Sequence, residues 1–153
     1  MERCRKPIIG AIRGFAVTAG FEIALACDIV VAAKGSKFMD THARFGIFPS
    51  WGLSQKLSRI IGVNKAREVS LTAAPLTAEI AERLGFVNHV VEEGELLKKS
   101  REIANAIVKN NQDMVLRYKS ERAHDYYNGM TKEQFRKMQE FIASRGSKKQ
   151  SRL

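Results

Sequence analysis

Short apolar runs and amphipathic stretches of helical length alternate over the first 91 residues of the chain. The runs PIIGAI (7–12) and IVVAA (29–33) are apolar at successive positions, which is typical of strands buried on both faces. Between them, FEIALACD (21–28) contains strong helix formers and predicts a short, mostly buried helix. The pattern therefore predicts an α/β fold.

Further elements follow an irregular segment at 37–48, which predicts short extended pieces joined by a loop. They are helices at 50–61, 64–71 and 77–84, a strand at 86–91, and helices at 95–109 and 131–144. Ser50 is the predicted N-cap of the first helix and Gly62 follows its end. We accordingly expect an α/β core at 1–92, a helical region at 93–146 and a flexible tail at 147–153.

Composition excludes several classes of protein. The chain has 153 residues, 44% of them hydrophobic and 27% charged, as in soluble globular domains. No apolar run reaches the roughly 18 residues that cross a bilayer. The net charge of +10 is spread along the chain without an aromatic platform, which argues against nucleic-acid binding. Cys4 and Cys27 have no metal-ligand spacing, so no metal site is expected.

The segment GFAVTAGFEIALACDIVVA (14–32) carries the candidate chemistry. Thr18, Ala19 and Gly20 lie where the predicted loop enters the helix, and the free N–H groups of a helix N-terminus favour negative charge. Such N–H groups can stabilise negative charge that develops on a substrate oxygen. Glu22 lies near this point and can act as an acid or base. Alternatively, Glu22 is an ordinary N-terminal glutamate favoured by the helix dipole.

This segment resembles the crotonase superfamily, whose members have a strand, a loop of small residues, a glutamate and a helix ending in Cys-Asp. The segments PSWGLSQKLSRIIG (49–62) and LTAAPLTAEIAERLGFVNHVVEEGELL (71–97) resemble the helix pair and strand that follow in the family. The resemblance implies the C-terminal part of a ββα spiral with a helical, trimerisation-type C-terminal region.

The resemblance also implies the function of an enoyl-CoA hydratase, a carbon-oxygen lyase that acts on 2-enoyl-CoA thioesters in fatty-acid or branched-chain acyl-CoA breakdown. The N–H of Ala19 would be one of two donors to the thioester oxygen, beside the substrate contacts Thr18 and Gly20. Coenzyme A would enter only as part of the substrate, and no other cofactor is implied.

His42 stands where hydratases of the family carry a second glutamate. Hydration needs one group to deprotonate water and another to protonate the α-carbon. An imidazole can take either part, with Asp40 close enough to orient it. Alternatively, His42 only hydrogen-bonds the loop or lines the acyl pocket. A missing glutamate at this position also argues against a simple isomerase.

Further binding residues are predicted on two segments. Trp51 is expected to line an apolar acyl pocket with its apolar neighbours, Phe45, Ile47 and Phe48, unless these residues belong to the core. In KMQEFIASR (137–145), Phe141 and Arg145 match family positions that close the CoA site and build a trimer or a dimer of trimers. The alternatives are helix packing for Phe141 and a solvated helix end for Arg145.

The last three residues, Ser151, Arg152 and Leu153, form a conservative variant of the Ser-Lys-Leu peroxisomal address. They predict a peroxisomal location and an import receptor as a partner.

The resemblance also predicts what the chain lacks. In the family, an N-terminal portion supplies further strands, the other oxyanion-hole N–H and much of the CoA site. We expect that portion to be absent before Met1, and a second gap after Lys119. The strand at 7–12 would then be an exposed edge, and the chain unstable or inactive alone. The alternative function is a non-catalytic subunit that binds acyl-CoA or assembles with homologous chains.

Overall fold

The computed structural model describes residues 1, 3–120, 136, 139 and 140. The strands are β1 (Ile9–Ile12), β2 (Phe15–Val17), β3 (Ile29–Ala33), β4 (Lys37–Met39), β5 (Leu76–Thr77) and β6 (His89–Val91). The helices are α1 (Ala19–Leu25), α2 (His42–Phe45), α3 (Leu53–Ile61), α4 (Val63–Thr72), α5 (Ala78–Arg83), α6 (Leu96–Val108) and α7 (Gln112–Lys119). The helix predicted at 131–144 falls largely outside the described residues.

The strands form two three-stranded sheets. One has the order β1-β3-β6 with all strands parallel, and the other has the order β2-β4-β5 with β2 parallel to β4 and β5 antiparallel. The first four strands alternate between the two sheets, with α1 between β2 and β3. The chain therefore winds as a ββα spiral, which confirms the predicted fold class.

Strand β3 is buried on both faces, as its sequence predicts. Val30 and Ala32 join the larger core, whereas Val31 and Ala33 pack with Leu96 of α6. The two sets point to opposite sides because successive residues of a strand alternate in direction. Among the described strands, β1 lies at the edge of its sheet, as expected.

Contacts divide the chain into two compact units, residues 1–119 and 120–153. Helix α6 lies in the first unit because Leu96 packs on β3. The boundary predicted after residue 92 therefore falls inside this unit. No helix within the described residues combines the length and the apolar character that a membrane span requires.

Three local predictions need correction. Ser50 is not an N-cap: α3 begins at Leu53 after Gly52, whose φ of 95° makes a tight turn, and no side chain caps the helix. The loop predicted ahead of the helix at Thr18 contains β2. The segment 37–48 contains the predicted extended piece, β4, but also the short helix α2.

Candidate active site

The carboxyl ends of β2 and β4 bring the candidate residues together. The two strands are parallel, with Val17 opposite Met39, and the N–H of Thr18 donates to the carbonyl of Met39 at 2.8 Å. The residues that follow each strand therefore emerge at one edge of the sheet, the usual place for a site in parallel sheets. The hydroxyls of Thr18 and Thr41 hydrogen-bond across this edge.

Thr18 turns the chain from β2 straight into α1. Its φ of 52° and ψ of −106° are unusual for a β-branched residue, and such backbone strain is concentrated at functional sites. The first bond of the helix runs from the N–H of Glu22 to the carbonyl of Thr18 at 3.0 Å. The N–H groups of Ala19 and Gly20 precede that bond, in the place predicted for an oxyanion donor.

Glu22 lies in the first turn of α1 and is only 3% exposed. Its Oε1 accepts hydrogen bonds from the N–H groups of Trp51, at 2.9 Å, and Leu53, at 3.4 Å. Leu53 is the first residue of α3. The carboxylate is therefore held at the N-terminus of a second helix, where backbone donors and the helix dipole offset the cost of burying a charge.

Asp40 and His42 form a buried pair beside this glutamate. Asp40 Oδ1 is 2.6 Å from Nδ1 of the His42 ring and accepts the backbone N–H of His42 at 3.1 Å. The two residues are 2% and 6% exposed. The ring is thus fixed by a neighbour two residues earlier in the chain.

The second carboxylate oxygen of Glu22 lies close to the second ring nitrogen of His42. His42 Nε2 lies 3.9 Å from Glu22 Oε2, the carboxylate oxygen that the backbone N–H groups of 51 and 53 leave unoccupied. Glu22 and His42, predicted from positions 20 residues apart in the sequence, are therefore neighbours. Such an arrangement places two proton-transfer groups at one point.

A cavity of about 770 Å³ opens beside Glu22, and a volume of this order suits a small-molecule ligand. Its lining consists of Met1, Arg3, Glu22, Ile23, Ala26, Ser50, Trp51, Gly52 and Lys56. The cavity combines apolar surface with one carboxylate and several basic groups. Glu22 lines this cavity, whereas Ala19 and His42 are not part of its lining.

Trp51 lines this cavity and is 59% exposed, and its place in an acyl pocket stays a prediction. Its apolar neighbours Phe45, Ile47 and Phe48 are exposed as well and are absent from the lining. The alternative that these four residues belong to the core is therefore wrong. The sequence did not predict the backbone donors of Trp51 and Leu53 or the hydroxyl of Thr41, and the only signal for the donors is the Pro-Ser-Trp-Gly turn ahead of α3.

The remaining predicted residues, Phe141, Arg145, Ser151, Arg152 and Leu153, lie outside the described part of the chain. Within that part, no group of three or more His, Cys, Asp or Glu side chains is arranged to hold a metal ion.

A ββα spiral that sets a buried, backbone-anchored glutamate beside a helix N-terminus defines a crotonase-type protein. A family model described as enoyl-CoA hydratase/isomerase matches residues 1–152. The chain belongs to the enoyl-CoA hydratase/isomerase family.

Relatives of known sequence and structure agree with this assignment. The chain is 74% identical over 99% of its length to a probable peroxisomal enoyl-CoA hydratase 1 of Arabidopsis thaliana. It is 43% identical over 72% of its length to a short-chain-enoyl-CoA hydratase of Clostridium acetobutylicum. The crystal structure of an enoyl-CoA hydratase from Mycobacterium avium matches 81% of the chain with a TM-score of 0.75 and 46% identity.

The chain spans only part of these relatives. It covers 64% of the Arabidopsis protein, 42% of the Clostridium protein and 56% of the Mycobacterium structure. The alignment with the Arabidopsis protein extends over 169 positions, more than the 153 residues of the chain. That relative therefore has residues inside the matched stretch that this chain lacks, in line with the expectation of an internal gap.

Proposed function

We propose that the chain, contrary to the expectation that it is unstable or inactive alone, hydrates 2-enoyl-CoA thioesters, with Glu22 as the group that activates water. The observation that supports this most strongly is the state of the Glu22 side chain. It is buried, one oxygen is anchored by two backbone N–H groups, the other lies 3.9 Å from His42 Nε2, and the residue lines a cavity. A glutamate that only stabilised the N-terminus of α1 would need neither burial nor hydrogen bonds from the N–H groups of Trp51 and Leu53.

The reaction follows from this arrangement. Glu22 Oε2 takes a proton from water while the water oxygen bonds to the β-carbon of the enoyl group. The electron pair of the double bond moves through the α-carbon towards the thioester oxygen, where the N–H of Ala19 stabilises the developing charge. A proton added to the α-carbon completes the 3-hydroxyacyl thioester. The proposal needs no cofactor besides the coenzyme A of the substrate.

The substitution Glu22→Gln tests this proposal. It keeps the size of the side chain and removes the base, so we expect the hydration rate of crotonyl-CoA to fall about 100-fold or more. Binding of butyryl-CoA, which cannot be hydrated, should change by less than about threefold because the amide oxygen still accepts the anchoring bonds. Glu68→Gln is the matched control, since Glu68 is exposed and pairs only with Lys65 on α4.

A wild-type chain that binds butyryl-CoA but does not hydrate crotonyl-CoA would contradict the proposal. It would favour the alternative of a non-catalytic acyl-CoA-binding subunit. Equal hydration rates for the wild type and Glu22→Gln would show that another group activates the water.

We further propose that the protein acts in peroxisomes. Two observations support this: the terminal Ser151-Arg152-Leu153 and the peroxisomal Arabidopsis relative. A chain with an N-terminal fluorescent tag should enter peroxisomes, and deletion of Leu153 should leave it in the cytosol. Arg152→Lys is the control, because it creates Ser-Lys-Leu and should preserve import. If the chain without Leu153 still enters peroxisomes, the C-terminal tripeptide is not the import signal.

Assembly is the last part of the proposal. By the family resemblance, the chain forms a trimer or a dimer of trimers through its C-terminal helices. Sedimentation equilibrium should give a mass three or six times 17.2 kDa. A monomer over the accessible concentration range would contradict it.

A further inference from the structure

The buried pair of Asp40 and His42 supplies an acid that the proposed reaction still lacks. We propose that Asp40 holds the His42 ring with Nδ1 protonated, so that Nε2 delivers the proton to the α-carbon of the enoyl thioester. This inference rests on the proposed hydratase function. It assigns the second proton-transfer step to an imidazole in a site where relatives of the family use a carboxylate.

The hydrogen bonds of Asp40 determine which ring nitrogen is available. An ionised carboxylate can only accept hydrogen bonds, so the 2.6 Å contact requires Nδ1 to carry a proton. The same oxygen accepts the backbone N–H of His42, which fixes the ring relative to its own main chain. Nε2 is then the nitrogen left to exchange a proton. Asp40 is thus a positioning residue.

The local sequence explains why this pair forms. Asp40 directly follows β4, and α2 begins at His42. An aspartate whose side chain accepts the N–H two residues later forms a common turn at such a point. The hydroxyl contact between Thr41 and Thr18 ties this turn to the start of α1. The ring and the Glu22 carboxylate are therefore positioned by the same strand edge.

The distance between the two groups suits shared proton transfer. Nε2 and Oε2 are 3.9 Å apart. A water oxygen about 2.8 Å from both atoms, a usual hydrogen-bond length, would have an angle of about 88° between them. One water can therefore contact both groups at once. One water could no longer contact both groups at a separation above about 5.6 Å, which is twice that hydrogen-bond length.

The proton balance of the cycle closes with this pair. The balance requires that the cycle starts with Glu22 ionised and with a proton on each nitrogen of the His42 ring. Glu22 gains a proton from water as the C–O bond forms, and His42 loses the Nε2 proton as the α-carbon gains its C–H bond. The proton on Glu22 then passes to Nε2 through a bridging water, since the two atoms are too far apart for a direct hydrogen bond. The net change is the addition of one water to the double bond.

Three variants of the full chain test the assignment. His42→Gln removes the acid and should lower kcat for crotonyl-CoA about 100-fold or more, with KM changed less than threefold. Asp40→Asn should lower kcat at least tenfold with the same small effect on KM. His42→Glu restores an acid at this position and should recover part of the lost rate. His89→Gln, on β6 of the other sheet, is the control and should behave as the wild type.

Two further measurements do not depend on hydration. Nitrogen-15 NMR of the histidine rings should show His42 protonated at Nδ1, and Asp40→Asn should alter that signal. In heavy water, wild-type protein should exchange the α-protons of butyryl-CoA through the molecules in which Nε2 carries no proton, because Nε2 can then remove and return them. His42→Gln should lose this exchange, whereas Glu22→Gln should retain it.

The outcomes separate this inference from the proposed function. If the wild type hydrates crotonyl-CoA and His42→Gln does so equally well, the assignment of His42 is wrong and the function stands. If the wild type exchanges α-protons through His42 but does not hydrate, the function is wrong and the assignment of His42 stands. Nδ1 without a proton in the wild-type spectrum, or a chain with neither activity, overturns the inference.

Discussion

The two candidate catalytic side chains are held in different ways, one by distant backbone groups and the other by a neighbouring side chain. Glu22 was predicted from its motif, and His42 from its place in the family pattern. The structure shows how each is held: Glu22 by N–H groups 29 and 31 residues later, and His42 by Asp40. A backbone donor leaves no mark in residue type, so the sequence predicts the catalytic candidates better than their supports.

Gly10 provides a residue-scale prediction about packing. A Cβ at this position would lie 2.9 Å from Sγ of Cys27, too close for an ordinary contact. We expect Gly10→Ala to lower the free energy of unfolding by about 1–3 kcal/mol, as overpacking does. Urea denaturation followed by circular dichroism would measure it.

Gly94→Ala is the matched control, because no atom lies within 4 Å of the added Cβ. Its stability should stay the same or rise slightly, since alanine restricts the unfolded chain. Adding Cys27→Ala to Gly10→Ala should recover part of the loss. An unchanged midpoint for Gly10→Ala alone would contradict the close contact.

At the scale of elements, three phenylalanines join helix, strand and loop in the core. The rings of Phe21, Phe38 and Phe86 have centroids 4.9 to 5.5 Å apart. Phe38→Ala should lower the free energy of unfolding by about 3–5 kcal/mol, the usual cost of removing a buried aromatic ring. Phe48→Ala, at an 82% exposed position, should change it by less than about 0.5 kcal/mol. Similar losses for both variants would contradict this description of the core.

Glu79 on α5 provides an element-scale prediction about pH. Its carboxylate accepts the N–H of Gly35 in the turn between β3 and β4, and this bond lowers the pKa of Glu79. A pKa that is lower in the folded state stabilises the fold above the unfolded pKa, and the contribution disappears as the pH falls through the folded value.

Glu79→Gln should therefore destabilise the protein at pH 7, and the difference should disappear at a low pH, below the pKa of Glu79 in both states. The effect should be at most about 0.5 kcal/mol because the group is exposed to solvent. Unfolding curves of both proteins at the two pH values would show it. A difference that persists unchanged at low pH would mean that the charge of Glu79 has no part in it.

The elements themselves were predicted unevenly, and the reasons are physical. The strand IVVAA and the helix that begins after Thr77 have strong local signals, and Thr77 does accept the N–H of Ile80 as an N-cap. Strand β2 has only three residues and forms because it pairs with β4, which no local pattern reveals. Helix α3 begins after Gly52, whose positive φ makes the turn into the helix, and not after Ser50, the residue predicted as its N-cap.

For the whole molecule, the family resemblance carried more information than periodicity. Alternating apolar runs predicted an α/β fold, but they did not show that successive strands enter different sheets. That topology places the ends of β2 and β4 together and so creates the site. The family assignment supplies it because the spiral is the property that its members share.

The central claim is that this chain assembles a working acid/base centre around Glu22. The most direct test is the initial rate at which the purified 153-residue chain converts crotonyl-CoA to 3-hydroxybutyryl-CoA, measured beside Glu22→Gln. We predict measurable turnover by the wild type. The rate of the variant should be lower by a factor of about 100 or more. A folded wild-type chain with no more turnover than Glu22→Gln would contradict the claim.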